Sequence, residues 1–210
     1  MGKQQLILSK RIHADETSVN VNGGRIWLHN ASDDSWTIIE PHHKRGKEAM
    51  DEIDILPHFE GVLCHDHWKP YYCYEAPDHS LCNAHHLREL VRAYEQDKQA
   101  WADEMYSLLN TLNKAVDTAG GKLPDSEIEI WKIKYRSILA KGDIECPPPP
   151  PDPTDKNKKK KRGRVVRSKA RNLLERLRNF EGDVLRFMTD VNDVPFTNNQ
   201  GERDIRMSKV

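Results

Sequence analysis

Apolar residues change their spacing once along this chain, and that change limits the folds open to it. Over residues 11–40 they alternate with polar ones: Ile12, Ala14, Val19 and Val21 in RIHADETSVNV, then the runs RIWLHNA (25–31) and WTIIE (36–40). A period of two marks half-buried strands. Asn22, Gly23 and Gly24 tolerate the positive φ of a tight hairpin, and Ser32 to Ser35 (SDDS) supply a second turn, so an antiparallel meander is expected. GKEAMDEIDIL (46–56) then places Ala49, Met50, Ile53 and Leu56 at helical spacing before Pro57. The apolar run GVLC (61–64) predicts a short buried strand that delivers His65, Asp66 and His67 at its carboxyl end.

From residue 84 the spacing is that of a helix. Leu87, Leu90, Val91, Tyr94, Trp101, Met105, Leu108, Leu109, Leu112 and Val116 fall on one face, and Gly120 and Gly121 end it. A second helix is expected over 125–140, with Ile128, Trp131, Tyr135, Ile138 and Leu139 as its stripe. Five consecutive prolines and a lysine run predict an extended, unpacked linker over 142–164. Another amphipathic helix, about 166–189, leads to VPFTNNQGERDIRMSKV, where Thr197 or Asn198 would cap a final helix holding Glu202, Ile205 and Met207.

The chain's 33 basic and 33 acidic side chains cancel only in the sum. Residues 156–210 carry 16 Lys+Arg against 7 Asp+Glu, a net of +9, which leaves −9 for residues 1–155. Most of the excess lies in KNKKKKRGRVVRSKAR (156–171) and points to a polyanionic partner or to a solvated linker. A membrane span needs about 20 apolar residues, and no run here approaches that. Residues 1–12 offer only Leu6 to Leu8 as an apolar block, too short for a secretory signal, so the four cysteines read as reduced cytosolic thiols.

Three acids stand out by position: Asp15 inside a predicted strand, where Asp is disfavoured, Asp66 at the carboxyl end of another, and Glu202 on the last helix. Carboxylates from separate elements can hold hard divalent cations while leaving water positions open. The strings HADETSV (13–19), RGKEAMDEIDILPHFEG (45–61), GVLCHDHWKPYYCY (61–74), LCNAHHLREL (81–90) and TNNQGERDIR (197–206), in this order, resemble the catalytic domain of the insertion-sequence-66 group of DDE transposases.

The resemblance implies an α/β, ribonuclease H-like core with an all-helical insertion between the second catalytic Asp and the catalytic Glu. On this chain the core's first part spans 1–80, the insertion 81–141, the Pro- and Lys-rich linker 142–164, and 165–210 returns to the core. It further implies that Asp15, Asp66 and Glu202 are the catalytic acids and hold two Mg²⁺ (or Mn²⁺) ions for DNA cleavage and strand transfer, with His85 nearby. The expected partners are DNA, both element ends and target, and further copies of the chain assembled on it, in the bacterial nucleoid. Lys158, Lys159, Lys160, Lys161, Arg162 and Arg164 are candidate contacts to the DNA backbone, as are Arg203 and Arg206, which a salt-bridged face would explain equally well. Members of this group extend further at both ends, so a truncated copy is expected; the alternative function is an inactive remnant that binds DNA non-specifically or associates with a full-length transposase.

Two other chemistries share these residues. His65 and His67 with Tyr71 and Tyr72 evoke nucleases that use a His pair and a Tyr nucleophile, but those need an apolar residue between the histidines, and Asp66 stands there. Cys82 and His85 form a C-x-x-H pair, with Cys64, Cys73 and His86 not far along the chain, which leaves open either a zinc site or a buried thiol at a strand-to-helix junction.

Overall fold

A computed structural model describes residues 1–149, 167–189 and 193–206. Helix α1 (Gly2–Ile7) drops Leu6 into the core and leads into β1 (Arg11–Val21), β2 (Gly24–Ser32) and β3 (Thr37–His42). Asn22 and Gly23, at φ 50° and 80°, form the two-residue connection whose twist matches its flanking strands, and Gly24 already pairs with Val21. Helix α2 (Lys47–Ile53) ends at Asp54 in the left-handed region, three residues short of the expected Pro57 stop. Strand β4 (Val62–His65) follows, and then β5 (Asp78–Leu81), a strand the sequence did not suggest.

The strand order is β3-β2-β1-β4-β5, with β1 parallel to β4, β4 parallel to β5 and the others antiparallel. A mixed five-stranded sheet with helices is compatible with a ribonuclease H-like fold. Under one face, Ile12, Ala14 and Leu63 of the sheet pack with Met50, Leu56 and Phe59.

The remaining elements are α3 (Asn83–Glu95), α4 (Ala100–Thr118), α5 (Asp125–Glu145), α6 (Lys169–Asn179), α7 (Glu181–Leu185) and α8 (Asn199–Arg206). The single helix expected from residue 84 is broken at 96–99, where Lys98 takes φ 57°. That break lets α4 fold back on α3 and buries Trp101 completely. The linker expected over 142–164 also begins later, because α5 continues to Glu145. Two contacts hold that last turn. The Glu145 carboxylate accepts the backbone N–H groups of Ala100 and Trp101 (2.6 and 3.1 Å), capping α4, and Gly142 is so tightly seated that a Cβ would lie 2.6 Å from Leu174. Residues 150–164 of that segment, and Met207 of the expected final helix, lie outside the described residues. The helix expected over 166–189 is two, α6 and α7, which part at Phe180 and end in a 3₁₀ turn at Arg186–Met188.

Helices from both sides of residues 150–166 share one apolar cluster, with Met105, Leu109, Leu139, Leu174 and Leu177 among its members. Each such side chain contributes about 1.5–3 kcal/mol. Tyr135, fully buried there, donates its hydroxyl to the Leu177 carbonyl at 2.8 Å, so no polar atom of the side chain is stranded. No helix among the described residues is long and apolar enough to cross a membrane.

Candidate active site

Strand alternation sends Ile12, Ala14 and Glu16 to one face of β1 and His13, Asp15 and Thr17 to the other, where α8 packs. The parallel register of β1 and β4 runs Arg11↔Val62 to His13↔Cys64, so two residues further on Asp66 comes alongside Asp15. The β4–β5 register ends at His65↔Leu81, and one step more brings Cys82 alongside Asp66. The third acid arrives on α8. Asn198 fastens that helix to β1: its Nδ2 donates to the Ala14 carbonyl at 2.8 Å, and its Oδ1 accepts from His13 Nδ1 at 2.7 Å. Asn198 thus stands where a capping residue was expected, but its side chain is committed to the sheet. Asn30 of β2 donates to the Gly201 carbonyl (3.2 Å), and Gly201 is seated tightly, since a Cβ would sit 3.2 Å from the Asn198 amide and 3.4 Å from His13. Close docking of α8 is what presents Glu202 to the strands.

Asp15, Asp66 and Glu202 line one open cleft, with His85 and Arg206 on its wall. Each aspartate has one anchored oxygen, and both oxygens of Glu202 have partners. Asp15 Oδ1 accepts the Glu16 N–H (2.9 Å), Asp66 Oδ1 accepts the Trp68 N–H (3.0 Å), and Glu202 Oε1 lies 3.1 Å from His85 Nε2. Among the described residues no hydrogen bond takes up Oδ2 of Asp15 or Asp66, and no ion pair neutralises either carboxylate. Burial, reinforced by the charges of Glu16, Asp66 and Glu202, pushes Asp15 up to about 7. The uncompensated charge and free oxygens of the two aspartates, with Glu202 beside them, make a donor set that suits hard divalent cations.

A family model described as Transposase IS66 family matches residues 2–210. The chain belongs to that family. Neither a curated protein nor a solved structure matches it. In this IS66-family chain Asp15, Asp66 and Glu202 come together on one cleft, and His85 stands beside Glu202. Arg206 reaches Glu202 Oε2 at 3.4 Å, and Arg203 lies 3.9 Å from Asp204; both guanidinium groups are largely exposed on α8. Lys158, Lys159, Lys160, Lys161, Arg162 and Arg164 lie outside the described residues.

Glu16 is a member of the site that the sequence did not single out. Its carboxylate is almost wholly buried and is held by the Tyr71 hydroxyl (2.7 Å) and by Nε and a terminal nitrogen of Arg45 (3.0 and 2.5 Å). The Arg45 guanidinium lies between the Trp27 and Trp68 rings, 4.8 and 4.4 Å from their centroids. Because Glu16 follows Asp15 and Trp68 anchors Asp66, this arch ties the two acid-bearing segments together on the far side of the sheet. Its only hint in the sequence was the adjacent acid in ADET.

The histidines around Asp66 are structural. His65 Nδ1 accepts the His67 N–H (3.1 Å), so its Nε2–H donates to His79 Nδ1 (3.0 Å), whose Nε2–H faces the Tyr74 carbonyl (3.3 Å). Burial holds His65 neutral. The Tyr71 hydroxyl is bonded to Glu16, and that of Tyr72 sits between His67 and Asp183; burial raises the pKa of both phenols. Neither tyrosine has the ionised, cleft-facing hydroxyl a nucleophile needs.

Proposed function

We propose that this chain is a transposase catalytic domain that cleaves and rejoins DNA strands with two divalent cations, Mg²⁺ or Mn²⁺, held by Asp15, Asp66 and Glu202. The observation that carries this reading is the convergence of three carboxylates, the two aspartates each with one oxygen left free, on a cleft where Asp15 is pushed up to about 7. Bound there, the cations supply a water or 3′-hydroxyl of lowered pKa and neutralise charge on the scissile phosphate. The protein's part is positioning. Asp15, once it gives up its proton, would hold a cation through Oδ2, Asp66 would offer the oxygen not held by Trp68, and His85 fixes the rotamer of Glu202. Asn198 and Gly201 keep α8 close enough for Glu202 to face both aspartates.

The test is a nicking assay with the full chain on DNA that carries element ends. Nicks that need Mg²⁺ or Mn²⁺ are expected, and their absence at all metal concentrations, with the fold intact, overturns the reading in favour of a non-catalytic DNA-binding chain.

Arg203 and Arg206 lie on the exposed side of the helix that bears Glu202, where a phosphate backbone would approach the cleft. Replacing both by Ala is expected to flatten the dependence of log K on log[salt] by about 0.9 for each phosphate no longer neutralised, roughly 1.8 in all. An unchanged slope in a filter-binding titration assigns them to the solvated face instead.

A further inference from the structure

Beside the carboxylate cleft lies a second donor set of different chemistry. Cys82 Sγ, a ring nitrogen of His85 and a Glu202 carboxylate oxygen all lie within 4.8 Å of one another, and His85 Nε2 is 3.1 Å from Glu202 Oε1. Ligands around a tetrahedral zinc, at bond lengths of roughly 2.0–2.3 Å, are about 3.3–3.7 Å apart, so side-chain shifts of about an ångström or less close the set. The backbone prepares it. Cys82 follows β5 and precedes α3, so His85 is one turn into the helix, and the Cys82 sulfur already accepts the Asn198 N–H at 3.1 Å. Burial raises the pKa of the Cys82 thiol, and the N–H groups of Asn198, Ala84 and His85 offset only part of that, so it is the metal itself that draws off the proton. Cys82 is buried, whereas His85 and Glu202 are partly exposed to the cleft, which leaves a fourth position for water.

The geometry points to a binding site for a soft or borderline divalent cation such as Zn²⁺ at Cys82, His85 and Glu202, whose occupation withdraws Glu202 from the aspartates and inhibits the enzyme. Binding forms S–Zn, N–Zn and O–Zn bonds and releases the Cys82 thiol proton to solvent. Mg²⁺ does not compete for a thiolate and an imidazole, so the site distinguishes the two metals by ligand softness. One carboxylate then serves either of two centres. The inhibitory consequence rests on the function proposed above; the binding does not.

Cobalt(II) is the probe, titrated into the reduced full chain. Wild type is expected to show a thiolate-to-cobalt charge-transfer band in the near ultraviolet and intense tetrahedral d–d bands, retained in Cys73→Ser, which removes the exposed thiol, and lost in Cys82→Ser. His85→Ala is expected to weaken Co²⁺ binding at least tenfold and stands as the second variant if Cys82→Ser does not fold. No band in wild type, a band that survives Cys82→Ser, or an unchanged affinity in His85→Ala overturns the site. In the nicking assay, the ratio of Mg²⁺-dependent rates with and without micromolar Zn²⁺ is expected to fall at least tenfold in wild type and to stay near one in Cys82→Ser. Equal ratios in the two proteins overturn the inhibitory role. A chain that shows the cobalt band but never nicks DNA refutes the proposed function and leaves the metal site standing.

Discussion

Asp15→Asn, Asp66→Asn and Glu202→Gln are each expected to lower metal-dependent strand cleavage on the order of 10³-fold or more, while Asp15→Asn becomes more heat-stable than wild type at pH 8. The two outcomes share one cause. Asp15 titrates near 7 in the fold against an ordinary value of 3.8, chiefly because burial disfavours its charge. The folded state therefore binds this proton more tightly than the unfolded chain does, and stability falls as pH rises from about 4 to about 7. A shift of about three units corresponds to roughly 4 kcal/mol at most, and water in the open cleft reduces that to on the order of 1–2 kcal/mol. The neutral amide removes this cost, so Tm at pH 8 is expected to rise by about 3–6 °C, with the gain vanishing near pH 4. Added Mg²⁺ is expected to stabilise wild type by RT ln(1 + [Mg²⁺]/Kd) and the three variants much less. Thermal shift at both pH values, with and without Mg²⁺, checks all of this. A destabilised Asp15→Asn at pH 8 would show that the carboxylate is structural.

This opposition between stability and use explains which parts of the site could be read from residues alone. Asp15 was visible because an ionisable side chain inside an alternating strand violates the local pattern, and such violations gather at functional sites. Asp66 was visible because a short apolar run delivers it at a strand end. Glu16 stands in the same strand but was silent, since its partners Arg45 and Tyr71 are 29 and 55 residues away and only the folded sheet brings them to it. Strand β5, DHSL, has four residues, of which Leu81 alone is apolar, too few to show a period; it exists because β4 offers it a ladder. The break at 96–99 contains neither Gly nor Pro, and tertiary packing of Trp101 places it. Gly142 falls where the linker was expected to start, yet it packs in a helix: its neighbour Leu174 lies beyond the proline run, where no local pattern can announce it.

Gly61→Ala is expected to cost about 3 kcal/mol and to lower Tm by roughly 6–12 °C, a large loss for a single added methyl group. A Cβ at residue 61 would lie 2.5 Å from the Lys10 carbonyl oxygen, 2.7 Å from that of Ser9 and 2.7 Å from the Phe59 ring. Two of those three neighbours are backbone, which cannot swing aside as a side-chain tip does. They are also the backbone that enters β1. The Val62 N–H donates to the Lys10 carbonyl at 2.9 Å and the Asp78 N–H to the Gly61 carbonyl at 3.0 Å, so residue 61 sits where β4 is clamped between β1 and β5. Moving the strands apart here disturbs the register that, four residues past the Arg11↔Val62 pair, sets Asp66 alongside Asp15. Gly61→Ala is thus expected to lose Mg²⁺ stabilisation together with thermal stability, although residue 61 touches neither acid. Differential scanning calorimetry with and without Mg²⁺ measures both. An alanine variant that melts within about 2 °C of wild type would mean that the strand entry yields easily, and the register would then have to be held by α8, through Asn198 and Gly201, instead.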